Sequence, residues 1–268
     1  MSHIFLFANV VDDRMNGEHH LGGEGAFVAA AIQILKETFE TNVSYSLVGK
    51  IGDDESGRFL KSTLENLGVD TSGLTVGGTQ TCQAVIKGIQ KVELVGFEGG
   101  PICCFTQAET KRFSELLQLP GWIFLTSNTL YNDETWEQVR HILKISPRLV
   151  FFDINWREAC LKKSGFSFDS FLRERVSPVL SRAQVIKGTN EELHQFKNQI
   201  EKVKPIWLLE TRGSEGSATR SGIDCSAQSE SAKAVNAGWA CLASILPSLE
   251  SRTIIRLASS ISSTGRAL

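Results

Sequence analysis

The chain has 268 residues, 41% of them hydrophobic, which suits one large α/β domain or two small ones; a single domain over residues 1–268 is the simpler expectation. A formal net charge of −2 and a pI near 6.2, with no dense Lys/Arg run, leave no basic field to attract nucleic acid. The cysteines form no C-x-x-C pair and share no metal-ligand spacing with the histidines, so reduced thiols in a cytoplasmic compartment are expected, and no run approaches the ~18 apolar residues of a membrane span.

Strand and helix signals alternate along the chain. The opening run from Ile4 to Val11 reads as one buried strand; it lacks the basic segment of a signal peptide and soon reaches acids. A glycine-rich corner, HLGGEGAF, then leads into a helix with Ala26, Ala29, Ala30, Ile34 and Leu35 on one face. Its loose glycine pattern follows two histidines, which argues against a dinucleotide fingerprint. VSYSLVGKIG reads as a strand, and DESGRFLKSTLENLGV as a helix with Phe59, Leu60, Leu64 and Leu67 at helical spacing, stopped by Gly68. QTCQAVIKGIQKVELVGF alternates as one or two strands.

A βα rhythm follows: GWIFLTSN, RLVFFDIN, AQVIKG and PIWLLETRG as strands, with DETWEQVRHILK, FDSFLRERVSPVL and NEELHQFKNQIEKV as helices between them. Continuously apolar strands of this kind suit a parallel sheet covered on both faces. After a Ser-rich loop, SGIDCSAQSESA, two more helices are expected in NAGWACLASIL and SRTIIRLASSIS.

In open parallel sheets ligands bind beyond the carboxyl ends of the strands, so the polar residues directly after each apolar run are the site candidates. These are Asp12 and Asp13; Asp153, Asn155 and Arg157; Lys187, Thr189 and Glu192; and Thr211, Gly213 and Gly216. The Gly22-Gly23 and Asn236-Ala237-Gly238 corners each open a helix, where free N–H groups favour an anion. Singly, each of these is an ordinary turn or cap residue. Jointly they point to one rim of one sheet.

The order of segments resembles the ribokinase family, also called the PfkB carbohydrate kinases. The resemblance rests on Gly22-Gly23 with Ala26, on GKIGDDESGRFLKSTLENLGVDTSGL from Gly49 to Leu74, on FDINWRE from Phe152 to Glu158 (similar to fructokinase-like members), and on VIKGTNEEL, LLETRGSEGSA and NAGWACLASIL in order. It implies a three-layer α/β/α fold with a mostly parallel sheet, binding a sugar and ATP with magnesium, and moving the γ-phosphoryl group to a sugar hydroxyl. It further implies a sugar hydroxyl held by Asp12 or Asp13, with Asp12 slightly preferred because it directly follows the apolar strand. Asn155, Lys187, Thr211, Gly213 and Gly216 would lie near the nucleotide and its phosphates, and Glu192 would reach the metal only through water.

The sequence departs from the family at several of these places. The family's Gly-Ala-Gly-Asp motif, whose N–H groups and Asp serve phosphoryl transfer, falls on Asn236, Ala237, Gly238 and Trp239. Tryptophan cannot accept the proton, and loss of a general base typically costs about 10² to 10⁴ in rate. Phe27 replaces a sugar-side Asn, Lys233 replaces an Asp, and Glu192 alone of an Asn-x-x-Glu pair is in register. Between Asp13 and Gly22 there is little room for lid strands, so a reduced or absent lid is expected, with elements around 12–21 and 79–105. The resulting expectation is a weak or inactive sugar kinase, or a non-catalytic binding protein on the kinase fold, monomeric or homodimeric.

Overall fold

The computed structural model describes residues 3–39, 43–77, 80–87, 91–96, 107–211, 217–219 and 224–225. The expected helices in NAGWACLASIL and SRTIIRLASSIS lie outside these described residues. In chain order, β1 (His3–Phe7), β2 (Val11–Met15) and β3 (Glu18–Gly22) precede α1 (Glu24–Phe39). Then come β4 (Ser44–Ile51), α2 (Glu55–Asn66), β5 (Leu74–Val76), β6 (Gln83–Lys87), β7 (Lys91–Val95), α3 (Gln107–Lys111) and α4 (Ser114–Gln118). β8 (Gly121–Thr126), α5 (Asp133–Ile145), β9 (Leu149–Asp153) and α6 (Glu158–Ser164) follow. A helical path through α7 (Phe168–Phe171), a π turn (Leu172–Val176) and α8 (Ser177–Leu180) reaches β10 (Ala183–Thr189). α9 (Asn190–Gln195), α10 (Lys197–Val203), β11 (Trp207–Thr211), β12 (Ser217–Thr219) and β13 (Asp224–Cys225) complete the described elements.

The main sheet runs β13-β12-β11-β10-β9-β8-β1-β4-β5, parallel from β11 to β5 and antiparallel at the β12 and β13 edge. Successive strand side chains point to opposite faces, and two cores result. Ile4, Leu6, Leu47, Phe124 and Phe151 pack with α1 and α2 on one face. Phe5, Phe7, Ile123, Leu125, Val150 and Phe152 pack with α5, the path from α7 to α8, and α10 on the other. This is the expected α/β/α layering. None of the helices among the described residues is long and apolar enough to cross a membrane.

The apolar run from Ile4 to Val11 is two strands rather than one. The chain leaves the main sheet after Phe7 and enters a second sheet at Val11, of order β3-β2-β6-β7. Where the sequence suggested little room for strands and a reduced or absent lid, the structure has a four-stranded second sheet: β2 and β3 fit into the short segment because Asn16 and Gly17, both at positive φ, turn the chain in two residues. His19 and His20, which precede the glycines, belong to β3, so a strand does lead into them, but it is an antiparallel strand of the second sheet. That is a different setting from a βαβ phosphate loop.

The run from Gly49 to Leu74 ties the two sheets together. Asp54 caps α2, accepting from the Gly57 N–H at 2.8 Å, and also accepts from the Thr81 N–H and hydroxyl just before β6. A Cβ on Gly57 would stand 2.0 Å from the Gly52 carbonyl oxygen, so the helix starts against backbone that no side chain permits.

The return into α1 is also too close for a side chain. Gly23, at φ +87, would place a Cβ 2.6 Å from the Asn9 carbonyl oxygen, and Gly25 would place one 2.8 Å from the same atom. Gly23→Ala should lower stability by about 1–3 kcal/mol through strain and collision together, whereas Gly17→Ala, with nothing within 4 Å of its Cβ, should cost only the positive-φ penalty of about 1 kcal/mol. Urea midpoints of the two variants check the order.

Candidate functional site

A cleft of about 250 Å³ opens where β1, β8, β9 and β10 end and the second sheet leans over them, lined by residues of both sheets and of α1. From the second sheet come Val11, Asp13, Ala84 and Leu94; from the start of α1 come Gly23, Glu24 and Phe27. Asn9, Asn128, Asp153, Asn155, Arg157 and Lys187 come from the strand ends and the turns after them.

Asp12 and Asp13 part company because neighbours in a strand face opposite ways. Asp12 is fully buried on the far side of β2, where its Oδ2 accepts from the His19 ring at 2.8 Å and the Ser56 hydroxyl at 2.5 Å. Gln83 donates in turn to Ser56, and Arg14 stands 3.6 Å from the same carboxylate. Asp12 thus pins the second sheet to α2, while Asp13 lines the cleft. Gly22 in β3 pairs with Val11, two residues before Asp13, and leaves room for the Asp13 carboxyl group, whose Cγ would be 2.4 Å from a Cβ there.

Burial, and then the Asp12 charge, push the Asp13 carboxyl up to about 6, against the smaller pull of His20 and Arg157. Glu24 is pushed upward as well, by burial first and by the Asp153 charge, although its Oε1 accepts from the Asn128 amide at 2.5 Å. On the opposite wall Lys187 donates to Asp153 at 2.7 Å, with Asp153 only 4% exposed. The cleft floor therefore holds more carboxylates than cations, and Arg157 lies exposed at the rim.

The turn after β9 is held at four points. Ile154 donates to the Lys187 carbonyl, Ser127 to the Asn155 carbonyl, Trp156 N–H to Glu192 at 2.6 Å, and Arg157 N–H to the Tyr131 hydroxyl. Trp156 also packs among Tyr131, Phe168, Phe171 and Phe196. Asn155 adopts φ 34 within this frame, a conformation that asparagine tolerates better than most residues.

Glu192 has a structural task. Its second oxygen accepts from the Thr189 N–H at 2.8 Å, closing a capping box at the start of α9. With both oxygens bonded to backbone, it braces the turn carrying Asn155. Thr211 ends β11 with its hydroxyl on the Gly188 carbonyl and does not line the cleft. Gly213, Gly216, Asn236, Ala237, Gly238 and Trp239 lie outside the described residues. Among the described residues no group of three His, Cys, Asp or Glu side chains is placed to hold a metal ion.

Asn155 and Lys187, read from the sequence as phosphate-side residues, meet Asp13 and Gly23 in one cleft. Asn9, Glu24 and Asn128 were not singled out by sequence reasoning. Asn128 follows the apolar run GWIFLT and obeys the same strand-end rule that pointed to the others. Asn9 lay inside what read as a continuous strand, and Glu24 looked like an ordinary first-turn acid.

A three-layer α/β domain with a second sheet leaning over the strand ends is the architecture of a sugar-kinase-like protein. The model described as pfkB family carbohydrate kinase matches residues 2–232, and the chain belongs to that family. No curated protein matches it. Among solved structures, a fructokinase from Vibrio cholerae O395 in fructose, ADP and calcium ion bound form is 20% identical, with TM-score 0.72 over 100% of this chain and 92% of that one. An uncharacterized sugar kinase from Pyrococcus horikoshii in complex with ATP is 19% identical, with TM-score 0.74 over 97% and 90%. Aminoimidazole riboside kinase from Salmonella enterica, complexed with aminoimidazole riboside and an ATP analog, is 15% identical, with TM-score 0.70 over 99% and 92%. At these identities the likeness is one of fold.

The raised Asp13 carboxyl has a measurable cost. The folded state keeps this proton while the unfolded chain releases it, so between the ordinary carboxyl value of 3.8 and about 6 Asp13 makes stability fall as pH rises, and the loss persists above that window. Asp13→Asn should therefore gain stability relative to the parent on going from about pH 4 to about pH 7, read from denaturation curves at each pH.

Proposed function

We infer that the cleft is a sugar site and that the chain is an ATP-dependent sugar kinase by descent, nearest to fructokinase-like members, whose phosphoryl transfer is weak or lost. The observation that carries the binding half is the make-up of the cleft: an apolar roof of Val11, Ala84 and Leu94 over a floor of carboxylates and amides. A sugar ring has one face of C–H groups and a periphery of hydroxyls, and it fits such a pair of walls. Asp13 would accept from a hydroxyl as the ionised carboxylate. The solved relatives named with fructose, aminoimidazole riboside, ADP or ATP support a sugar and a nucleotide as ligands.

The catalytic half rests on sequence. Trp239 stands where the family has its general base, and Asn236 replaces the first glycine of the anion-binding turn. The family match ends at residue 232, before this motif. A second reading, a non-catalytic protein that binds sugar or nucleotide, is favoured by the same tryptophan. An acid from the preceding segment, Asp224 in β13 or Glu230, would have to come within about 3 Å of the reacting hydroxyl to restore activity.

ADP release from MgATP, measured against fructose, ribose and other sugars with heat-inactivated protein as the blank, should be at background. Turnover at or above about 1 s⁻¹ would place the chain among ordinary enzymes and overturn the inactive reading. Trp239→Asp should raise any residual rate by about 10² or more if the remainder of the site is intact. Calorimetric sugar affinity should increase as pH rises through the Asp13 value of about 6 and level off above it, and Asp13→Asn should remove that dependence.

A further inference from the structure

Three buried oxygens in the cleft have no hydrogen-bond partner: Glu24 Oε2, Asn128 Oδ1 and Asp153 Oδ1. All three are acceptors. Asn128 is 5% exposed and Asp153 4%, so water does not freely solvate them, and a buried acceptor without a donor costs roughly 1–3 kcal/mol. No buried, unpartnered side-chain donor lines the cleft among the described residues.

The arrangement of the Glu24–Asn128 pair follows from its own contact. Asn128 turns its NH₂ toward Glu24 Oε1, which leaves its carbonyl oxygen and the second carboxylate oxygen of Glu24 as the two unpartnered acceptors of the pair. The two cations of the cleft do not reverse this polarity. The Lys187 ammonium lies on Asp153 at 2.7 Å, and Arg157 is at the exposed rim. Phe27, on the first turns of α1 and also lining the cleft, offers no polar atom to compete.

We propose that Glu24 and Asn128 form an acceptor floor that makes the cleft selective for a sugar carrying a primary amine over the parent sugar, and for the parent sugar over one carrying a carboxylate. The inference rests on the reading of the cleft as a sugar site and adds the chemical class of sugar. An ammonium supplies hydrogen-bond donors to a floor whose unpartnered buried side-chain atoms are acceptors. It also offsets the two influences, burial and then the Asp153 charge, that push the Glu24 carboxyl upward. A carboxylate placed there would bring further acceptors and like charge against Glu24.

The test is calorimetric titration of the full chain with neutral sugars, then with the amine- and carboxylate-bearing derivatives of whichever binds most tightly. The amine should bind about tenfold more tightly than the parent and the carboxylate at least about tenfold more weakly. Glu24→Gln keeps an oxygen for Asn128 and puts a donor NH₂ where Oε2 stood, so it should reverse the order of amine and carboxylate. If the variant does not fold, the order in the parent protein decides. A neutral sugar that binds as tightly as its amine derivative, or a tighter carboxylate, overturns the proposed selectivity and leaves the sugar site standing. Failure of every neutral and derivatised sugar to bind overturns the sugar site itself.

Discussion

The backbone at Asn9 and the glycines packed against it control the rest of the molecule. Here the chain leaves the main sheet, builds the hairpin of the second sheet and returns to start α1. The return passes so close to the exit that Gly23 and Gly25 both face the Asn9 carbonyl at distances no Cβ tolerates, and the Gly25 N–H bonds to that same oxygen at 2.9 Å. Because exit and return are pinned together, Asp13 on the departing strand and Glu24 on the returning helix lie on the same cleft. A wider loop would separate them, and the second sheet would lose its fixed angle over the strand ends.

A second tie works from the other side of β2. Asp12 is buried among His19, Arg14 and Ser56, and Asp54 holds both the start of α2 and Thr81 at the entrance to β6. Asp12 is fully buried and Asp54 partly so, and each ties two elements that are distant in sequence. Between them they orient the second sheet on the main domain, which leaves Asp13 free to face the cleft. The turn after β9, braced by Glu192 and the aromatic cluster around Trp156, does the same for Asn155 and Arg157 on the opposite wall.

Much of the site was legible because parallel sheets bring strand ends to one edge, so residues far apart in sequence could be grouped without knowing a single distance. That reasoning found Asp13, Asp153, Asn155, Arg157 and Lys187. It missed Asn9 because an uninterrupted apolar run conceals a change of sheet, and it missed Glu24 because an acid in a first helical turn has an ordinary electrostatic explanation. It placed Glu192 near the metal only through water, as the resemblance implied; the structure adds that each of its oxygens accepts from a backbone N–H. Spacing identifies a carboxylate near a site and says nothing of whether its oxygens are already bonded.

The sequence by itself determined the alternation of strands and helices, the parallel sheet and the family, since each depends on residue type at a given chain position. Tertiary structure alone decided which of two adjacent aspartates faces the cleft, that three strands of the second sheet serve as its roof, and that Glu24 and Asn128 meet across 104 positions of chain. Those outcomes depend on the angle at which two sheets pack and on which buried atoms are left without partners. Such quantities arise only when distant segments share one volume, and no local pattern encodes them.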